Sequence, residues 1–194
     1  MSVPDELPKL WFLRHGETHW NAQKRIQGQL ESQLTDKGVR QAHVQARLIR
    51  PVLRQGPACF VSPLGRAQET ARIALGDTRY QTDPRLAEAH AGRWQGLLRA
   101  DVIADARNGF DQDINALELF LAAPEGEGFA DLRARIVDFL KGLSGPSVIV
   151  GHGLWGQVLR GLVRGLPRAE MGTLPNEQGC IYALERGRET VLRE

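Results

Sequence analysis

Short, continuous apolar runs alternate along the chain with segments whose apolar residues recur every three or four positions. Leu10 to Leu13, Ala58 to Val61 and Val148 to Val150 are runs of the first kind. Runs of this length, without alternation, are typical of strands that are buried on both faces of a parallel sheet. The helical segments between them would cover those faces. The pattern therefore predicts an α/β fold with three layers, in which helices flank a mostly parallel central sheet.

Start and stop signals refine this outline. Thr35 is a typical N-cap residue, and apolar positions follow it at helical spacing until Pro51, which should end or kink the helix. The same patterns predict a short strand at 80–82, an amphipathic helix at 129–143, a helix at 154–163 and a pair of strands at 180–184 and 190–192.

Residues 97–127 have an interrupted helical pattern, with Asn108-Gly109 separating two short amphipathic pieces. We interpret this segment as a helical insertion over the functional site and not as a separate domain. The chain, 1–194, is then a single domain, which its length of 194 residues allows.

Two of the predicted strands end in the same way. Arg14-His15-Gly16 follows the first apolar run, and Gly151-His152-Gly153 follows the third. Ligands of open α/β sheets bind just beyond the carboxyl ends of strands. Two imidazoles and an arginine are therefore expected over one site.

The middle run ends in Ser62-Pro63-Leu64-Gly65-Arg66. Ser62 is a good N-cap and Pro63 suits the first position of a helix, which would place Arg66 in the first turn. A cation is unfavourable at that end of the helix dipole, and a bound anion would remove the conflict. The three strand ends together predict a site for a phosphoryl group.

With these residues the chain resembles the histidine phosphatase superfamily, also called phosphoglycerate mutase-like. The likeness extends over almost the whole chain, in the order of the family's motifs. The matching segments are 14–18, 20–21, 25–28, 34–35, 62–71, 86–88, 92–96, 124–127 and 151–153.

The resemblance implies a chemistry for the site. His15 would be the nucleophile, phosphorylated on a ring nitrogen and then hydrolysed, and Glu88 the acid that protonates the departing oxygen. Arg14, Arg66 and His152 would clamp the phosphoryl oxygens. The two arginines should also lower the pKa of His15, because like charges disfavour the imidazolium form.

Further residues are expected to contact the substrate. Asn21 can donate a hydrogen bond through its amide. The other candidate substrate-binding residues are Gln27, Gly28, Gly153 and Arg99. The partner implied is a small-molecule phosphate ester, with no cofactor and no metal.

A phosphatase is favoured over a cofactor-dependent phosphoglycerate mutase. Mutases that resemble this chain typically carry Arg and Tyr where it has Ala89 and Ala91. The segment 108–131 holds six acids and no Lys or Arg, and should repel a doubly charged glycerate ester. A non-catalytic module that binds a phospho-ligand is a third alternative, but it predicts loss of the nucleophile or the acid, and both are present.

Composition narrows the remaining classes. The apolar fraction is 42% and the net charge +2, and no basic block with interleaved aromatics indicates a nucleic-acid surface. Nothing resembles a secretory signal or a membrane span, so a cytoplasmic location is expected. Cys59 and Cys180 lie in apolar runs and are expected to be buried thiols. The sequence does not determine the oligomeric state, and a homodimer is one possibility.

Overall fold

The computed structural model describes residues 2–4 and 6–194, and a single six-stranded sheet runs through them. The strands are β1 (Leu10–Arg14), β2 (Ala58–Val61), β3 (Gln81–Thr82), β4 (Ser147–Gly151), β5 (Ile181–Glu185) and β6 (Arg188–Leu192). Their order across the sheet is β3-β2-β4-β1-β5-β6. The pairs among β1 to β4 are parallel, whereas β5 and β6 join antiparallel. The predicted mostly parallel sheet is confirmed.

Helices cover both faces of this sheet. They are α1 (His19–Ala22), α2 (Asp36–Leu53), α3 (Gly65–Leu75), α4 (Arg99–Ala104), α5 (Ala116–Leu121), α6 (Phe129–Lys141), α7 (Gly153–Val163) and α8 (Arg168–Met171). Short 3₁₀ turns lie at Pro84–Leu86, Gly92–Trp94 and Ala106–Asn108. Among the described residues, no helix has both the length and the apolar character needed to cross a membrane.

The alternation of side chains along β1 divides the core into two layers. Trp11 and Leu13 pack with α2 and α3 on one face, and Leu10 and Phe12 pack with α6 and α7 on the other. All four side chains are buried. This is the arrangement expected of a strand covered on both faces, and it confirms the three-layer prediction.

The segment predicted as an insertion forms α4 and α5, with Gly109 in a left-handed conformation (φ +63°) between them. These helices build a third apolar cluster with Ile26 and Trp94.

Two predicted helix boundaries were wrong. α2 continues through Pro51 to Leu53. The proline lies in the last turn of the helix, and Val52 beyond it is buried in the apolar cluster between α2, α3 and the sheet. α3 begins at Gly65 with Leu64 as N-cap, not at Pro63 after Ser62. The Ser62 side chain makes a different contact, described below.

The turn after β1 approaches the start of α2 so closely that only glycine fits. A Cβ on Gly38 would lie 2.1 Å from the Glu17 carbonyl oxygen, and one on Gly16 would lie 2.3 Å from the Gly38 carbonyl oxygen. Since both obstacles are backbone atoms, a side chain could be accommodated only by moving the turn that carries His15.

We expect Gly38→Ala to destabilise the protein by about 1–3 kcal/mol, as overpacking does, although alanine is the better helix former. Urea unfolding would measure the change. Gly145→Ala is the matched control, because no atom of the described residues lies within 4 Å of its Cβ position. A Gly38→Ala protein at least as stable as the parent would contradict the close approach.

Candidate active site

The carboxyl ends of β1, β2 and β4 converge as predicted, and they bring the two histidines together. The rings of His15 and His152 lie 5.2 Å apart between centroids, and they are 3% and 0% exposed. A cavity of about 900 Å³ opens beside them, lined at this end by Arg14, Arg66 and Glu88.

The hydrogen bonding of His15 fixes its tautomer. Its Nδ1 lies 2.7 Å from the Gly16 carbonyl oxygen, which can only accept, so Nδ1 carries the proton. The Nε2 lone pair is then free in the neutral ring. Burial holds the pKa of His15 well below its ordinary 6.5, and the nearby Arg66 and Arg14 lower it further. The ring is therefore a neutral nitrogen base.

Contacts from three elements hold the turn around His15. Its N–H donates to the Gly151 carbonyl at 3.0 Å, at the end of β4. The Gly16 N–H donates to Thr70 Oγ1 on α3 at 3.0 Å. Gln45 on α2 donates to the Arg14 carbonyl at 2.9 Å. The nucleophile candidate thus sits on a turn that is braced by the sheet and by both helices of one layer.

The two arginines retain N–H groups that have no protein partner. Arg66 donates to the Leu30 and Gly28 carbonyls at 2.9 and 2.7 Å, and Arg14 donates to the Asn176 carbonyl. The Nε of each guanidinium is buried and has no hydrogen-bond partner among the described residues. Burial lowers the pKa of Arg66 to about 10, so it stays a cation at neutral pH. Buried cations with unused donors favour an anion between them.

His152 is oriented by Ser62, the residue predicted to be a helix cap. The Ser62 oxygen accepts the Leu64 N–H at 3.3 Å and lies 2.6 Å from His152 Nε2. When the hydroxyl donates to Nε2, the proton of the neutral ring is on Nδ1, which is buried and has no partner in the part of the chain that the structure describes. Burial, then Arg66, His15 and Arg14, hold the pKa of His152 well below 6.5. This imidazole can donate a hydrogen bond while uncharged.

The Glu88 carboxylate lies at the N-terminus of α7. Oε1 accepts N–H groups of Ala89 and Trp155, both at 2.9 Å, and Oε2 accepts that of Leu154 at 3.0 Å. The side chain is 7% exposed and lines the cavity. Oε2 accepts a single N–H, which leaves it a lone pair that can take or carry a proton.

Arg135 on α6 fixes the backbone on either side of Glu88. Its guanidinium donates to the carbonyls of Arg85, Ala87 and Glu88 at 2.6, 2.7 and 3.2 Å. It also binds the Glu127 carboxylate at 2.6 and 2.8 Å, with both side chains largely buried. Glu127 lies at the end of the insertion, so that segment is tied to the turn that carries Glu88.

The predicted residues Gln27 and Gly28 both lie at the cavity, and both hold Arg66. The Gln27 amide is 3.0 Å from Thr18 Oγ1, and with its nitrogen facing Thr18 its oxygen accepts from Arg66 at 3.2 Å. Gly28 offers its carbonyl to Arg66 and adopts φ +54°. These residues therefore position a cation as well as line the cavity.

The other three predicted contact residues also line the cavity. Asn21 accepts from the Thr18 N–H and from Gln178 through its amide oxygen, so its NH₂ group is left to donate. A Cβ on Gly153 would lie 3.3 Å from the Arg14 guanidinium. Arg99 donates to the Ile114 carbonyl, and its buried Nε has no partner among residues 2–4 and 6–194.

Two expectations about charge were wrong. The N-terminus of α3 was expected to bind an anionic ligand. Its Gly65 N–H instead donates to the Glu31 carboxylate at 2.9 Å. The acids of the segment 108–131 do not line the cavity in the part of the chain that the structure describes. Three of them pair with arginines outside that segment: Glu118 with Arg168, Glu125 with Arg93, and Glu127 with Arg135. The cations that line the insertion side of the cavity are Lys24, Arg25 and Arg99.

Several residues of the site were missed by the sequence analysis. Asn176 and Gln178 come from the loop before β5, and no local pattern marks them. Gln45 did carry a signal, because it lies on the same helix face as the buried Ala42 and Ile49. A fully buried polar residue on an apolar face indicates a specific hydrogen bond.

Comparison with known proteins places these features in one family. The sequence profile of the histidine phosphatase superfamily (branch 1) matches residues 10–192. A Yersinia pestis protein named "Probable phosphoglycerate mutase GpmB" is 37% identical over 168 residues, which cover 82% of this chain and 76% of that protein.

Some of the solved structures with similar folds are named as phosphatases. The α-ribazole phosphatase of Shigella flexneri superposes with a TM-score of 0.78 at 29% identity, covering 96% of each chain. A mycobacterial glucosyl-3-phosphoglycerate phosphatase gives 0.74 at 29% identity, covering 96% of this chain and 98% of its own.

We expect His15 to remain neutral as the pH falls through 6.5, and Arg66→Gln to raise its pKa, because a neighbouring cation is removed. Nitrogen-15 NMR of the ring would follow both the titration and the Nδ1–H tautomer. His15→Asn and His152→Asn assign the signals. A midpoint at or above 6.5 in the parent protein would contradict the predicted electrostatics.

The lowered pKa of His15 also predicts how stability depends on pH. Since the unfolded chain binds this proton more readily, the free energy of unfolding should fall as the pH drops below about 6.5.

Proposed function

Since the chain belongs to the histidine phosphatase superfamily, we propose that it hydrolyses a phosphate monoester of a small metabolite through a phosphohistidine on His15. The observation that carries the proposal is the state of His15, a neutral ring with a free Nε2 lone pair between Arg14 and Arg66. A nucleophile for phosphoryl transfer needs that lone pair, together with positive charge around the transferred oxygens.

In the first step, Nε2 attacks phosphorus and the P–O bond to the alcohol breaks. The unused N–H groups of Arg14 and Arg66 and the Nδ1–H of His152 bind the phosphoryl oxygens. Glu88 enters this step as the carboxylic acid, protonated on Oε2. The electron pair leaves with the alcohol oxygen, which takes that proton. The products of this step are the free alcohol, the phosphohistidine and a Glu88 carboxylate.

In the second step, the Glu88 carboxylate removes a proton from water as the water oxygen attacks phosphorus. The P–N bond breaks, its electron pair returns to Nε2, and inorganic phosphate forms. Glu88 ends protonated and His15 neutral, so the cycle closes. The N–H bonds from α7 keep the carboxylate in place through both steps.

A phosphoglycerate mutase is the second candidate, favoured by the likeness to the protein of that name. A mutase must hold a second anionic group of the substrate while the phosphoryl group is on histidine. Ala89 and Ala91, where such mutases typically have Arg and Tyr, are 1% and 0% exposed and pack in apolar clusters. Their burial supports hydrolysis, whereas Arg99 is a cation that either activity could use.

Rapid quench with a ³²P-labelled monoester tests the proposal. We expect an acid-labile, base-stable label on the protein that appears before inorganic phosphate. It should be absent in His15→Asn and persist, though formed more slowly, in His152→Asn. Label on the His15→Asn protein would identify a different nucleophile.

The same assay separates the two activities. With labelled 3-phosphoglycerate and a catalytic amount of 2,3-bisphosphoglycerate, any turnover should release phosphate faster than it forms 2-phosphoglycerate. Faster isomerisation would establish the mutase instead.

Glu88→Gln isolates the role of the acid. Removing a general acid typically slows a reaction by about 10²–10⁴-fold, and the loss depends on how much the leaving oxygen needs a proton. In single turnover, phosphohistidine formation from an alkyl phosphate should slow by about that factor, and formation from p-nitrophenyl phosphate by much less. Equal slowing for both esters would make Glu88 a residue that only orients the phosphate.

A further inference from the structure

The cavity beside His15 is much larger than a phosphoryl group. Its volume of about 900 Å³ lies near the upper end of the roughly 300–1,000 Å³ of pockets that hold drug-sized ligands. From His15 it extends to the helices α4 and α5 of the insertion. That far end is the place where the alcohol half of an ester would lie, and we call it the leaving-group chamber.

Most of the residues that the insertion contributes to the chamber wall are apolar, and its polar residues there are Arg99 and Gln112. Ile103, 9% exposed, and the half-buried Phe120 lie in one apolar cluster behind and along this wall. The cluster includes Val102 and Leu119, so the wall is backed by packed side chains and is not a loose loop. The other apolar residues that line it are Leu98, Ala100, Ala104 and Ala116, and Ile26 of the same cluster also lines the cavity.

Several of the polar side chains that line the cavity are engaged with other residues, although the Asn21 NH₂ group and the Arg99 Nε are left as free donors among the described residues. Asn21 and Gln178 bond each other, and Gln27 bridges Thr18 and Arg66. The carboxylates that line the cavity are Glu17 and Glu88, and Glu17 already binds Lys37 and Thr35. A polyhydroxylated alcohol needs many free donors and acceptors, and burying hydroxyls against an apolar wall costs free energy. An alcohol with an apolar body gains free energy when it is buried against the apolar part of the wall.

From this wall we infer the substrate class: the protein hydrolyses phosphate monoesters of bulky apolar or ring-bearing alcohols in preference to those of small polyols. The inference rests on the proposed phosphatase activity for its chemistry. Ile103 and Phe120 are then specificity-determining residues that contact the alcohol and take no part in proton or phosphoryl transfer.

The n-alkyl phosphates from ethyl to hexyl provide the test, because their alcohols differ little as leaving groups and differ mainly in apolar area. We expect kcat/KM for phosphate release to rise about fourfold for each methylene that enters the chamber. Benzyl phosphate should likewise exceed glycerol 1-phosphate. A flat series, or glycerol 1-phosphate as the better substrate, would overturn the inference.

Variants on α4 locate the effect. In Ile103→Thr, the ratio of kcat/KM for hexyl phosphate to that for ethyl phosphate should fall about tenfold, since the wall loses apolar contact. Val102→Thr is the matched control: Val102 belongs to the same cluster but faces away from the cavity, so the ratio should stay at the parental value. Equal falls in both variants would mean that the cluster, and not the wall, is responsible.

Binding of n-alkylphosphonates, measured by calorimetry, keeps the inference separate from the chemistry. These compounds cannot be hydrolysed, yet their affinity should increase with chain length in the same proportion. If phosphonates show the gradient but no ester is hydrolysed, the proposed function fails and the chamber stands. If esters are hydrolysed through His15 without a gradient in either series, the chamber fails and the function stands.

Discussion

The contact between the Glu88 carboxylate and the first N–H groups of α7 is the one on which the rest of the site depends. A helix N-terminus carries a partial positive charge of about half an elementary unit, and a buried carboxylate there satisfies donors that would otherwise lack partners. The same helix start carries His152 and Gly153, and the backbone around Glu88 is held by Arg135. The acid candidate, one histidine and one wall of the cavity therefore share a single anchor.

The phosphoryl end of the cavity is built at some cost to stability. Arg14 and Arg66 are buried with N–H groups that are unused among the described residues. Arg66 forms a long ion pair with Glu31, at 4.0 Å, and the Glu31 side chain is 55% exposed. Buried cations without full pairing destabilise a fold, and the two imidazoles remain neutral in part because these cations are present. A bound phosphoryl group supplies the missing negative charge. The incomplete pairing of the two arginines in the free site therefore favours binding of the ligand.

The sequence predicted well those site residues that lie at the ends of strands. Apolar runs located the strands, and parallel pairing alone brings His15 and His152 to one edge of the sheet. It was less informative about polar contacts between distant segments. Whether Ser62 caps a helix or bonds His152, ninety positions along the chain, is decided by tertiary structure, because the hydroxyl suits both. The same applies to Arg135, whose charge could have served any surface helix.

The acidic insertion shows most clearly why residue counts are a poor guide to a site. Six acids in 108–131 suggested a repulsive wall, but a helix has two sides, and the sign of a segment says nothing about which side faces the ligand. Here Glu118, Glu125 and Glu127 form ion pairs with arginines outside the segment and do not line the cavity. Ile103 and Phe120 do line it. The charged side thereby fastens the insertion to the domain, and the apolar side is left to contact the alcohol. A change of substrate would then need new side chains on the inner side only, without loss of the ion pairs that hold Glu88 and its turn in place.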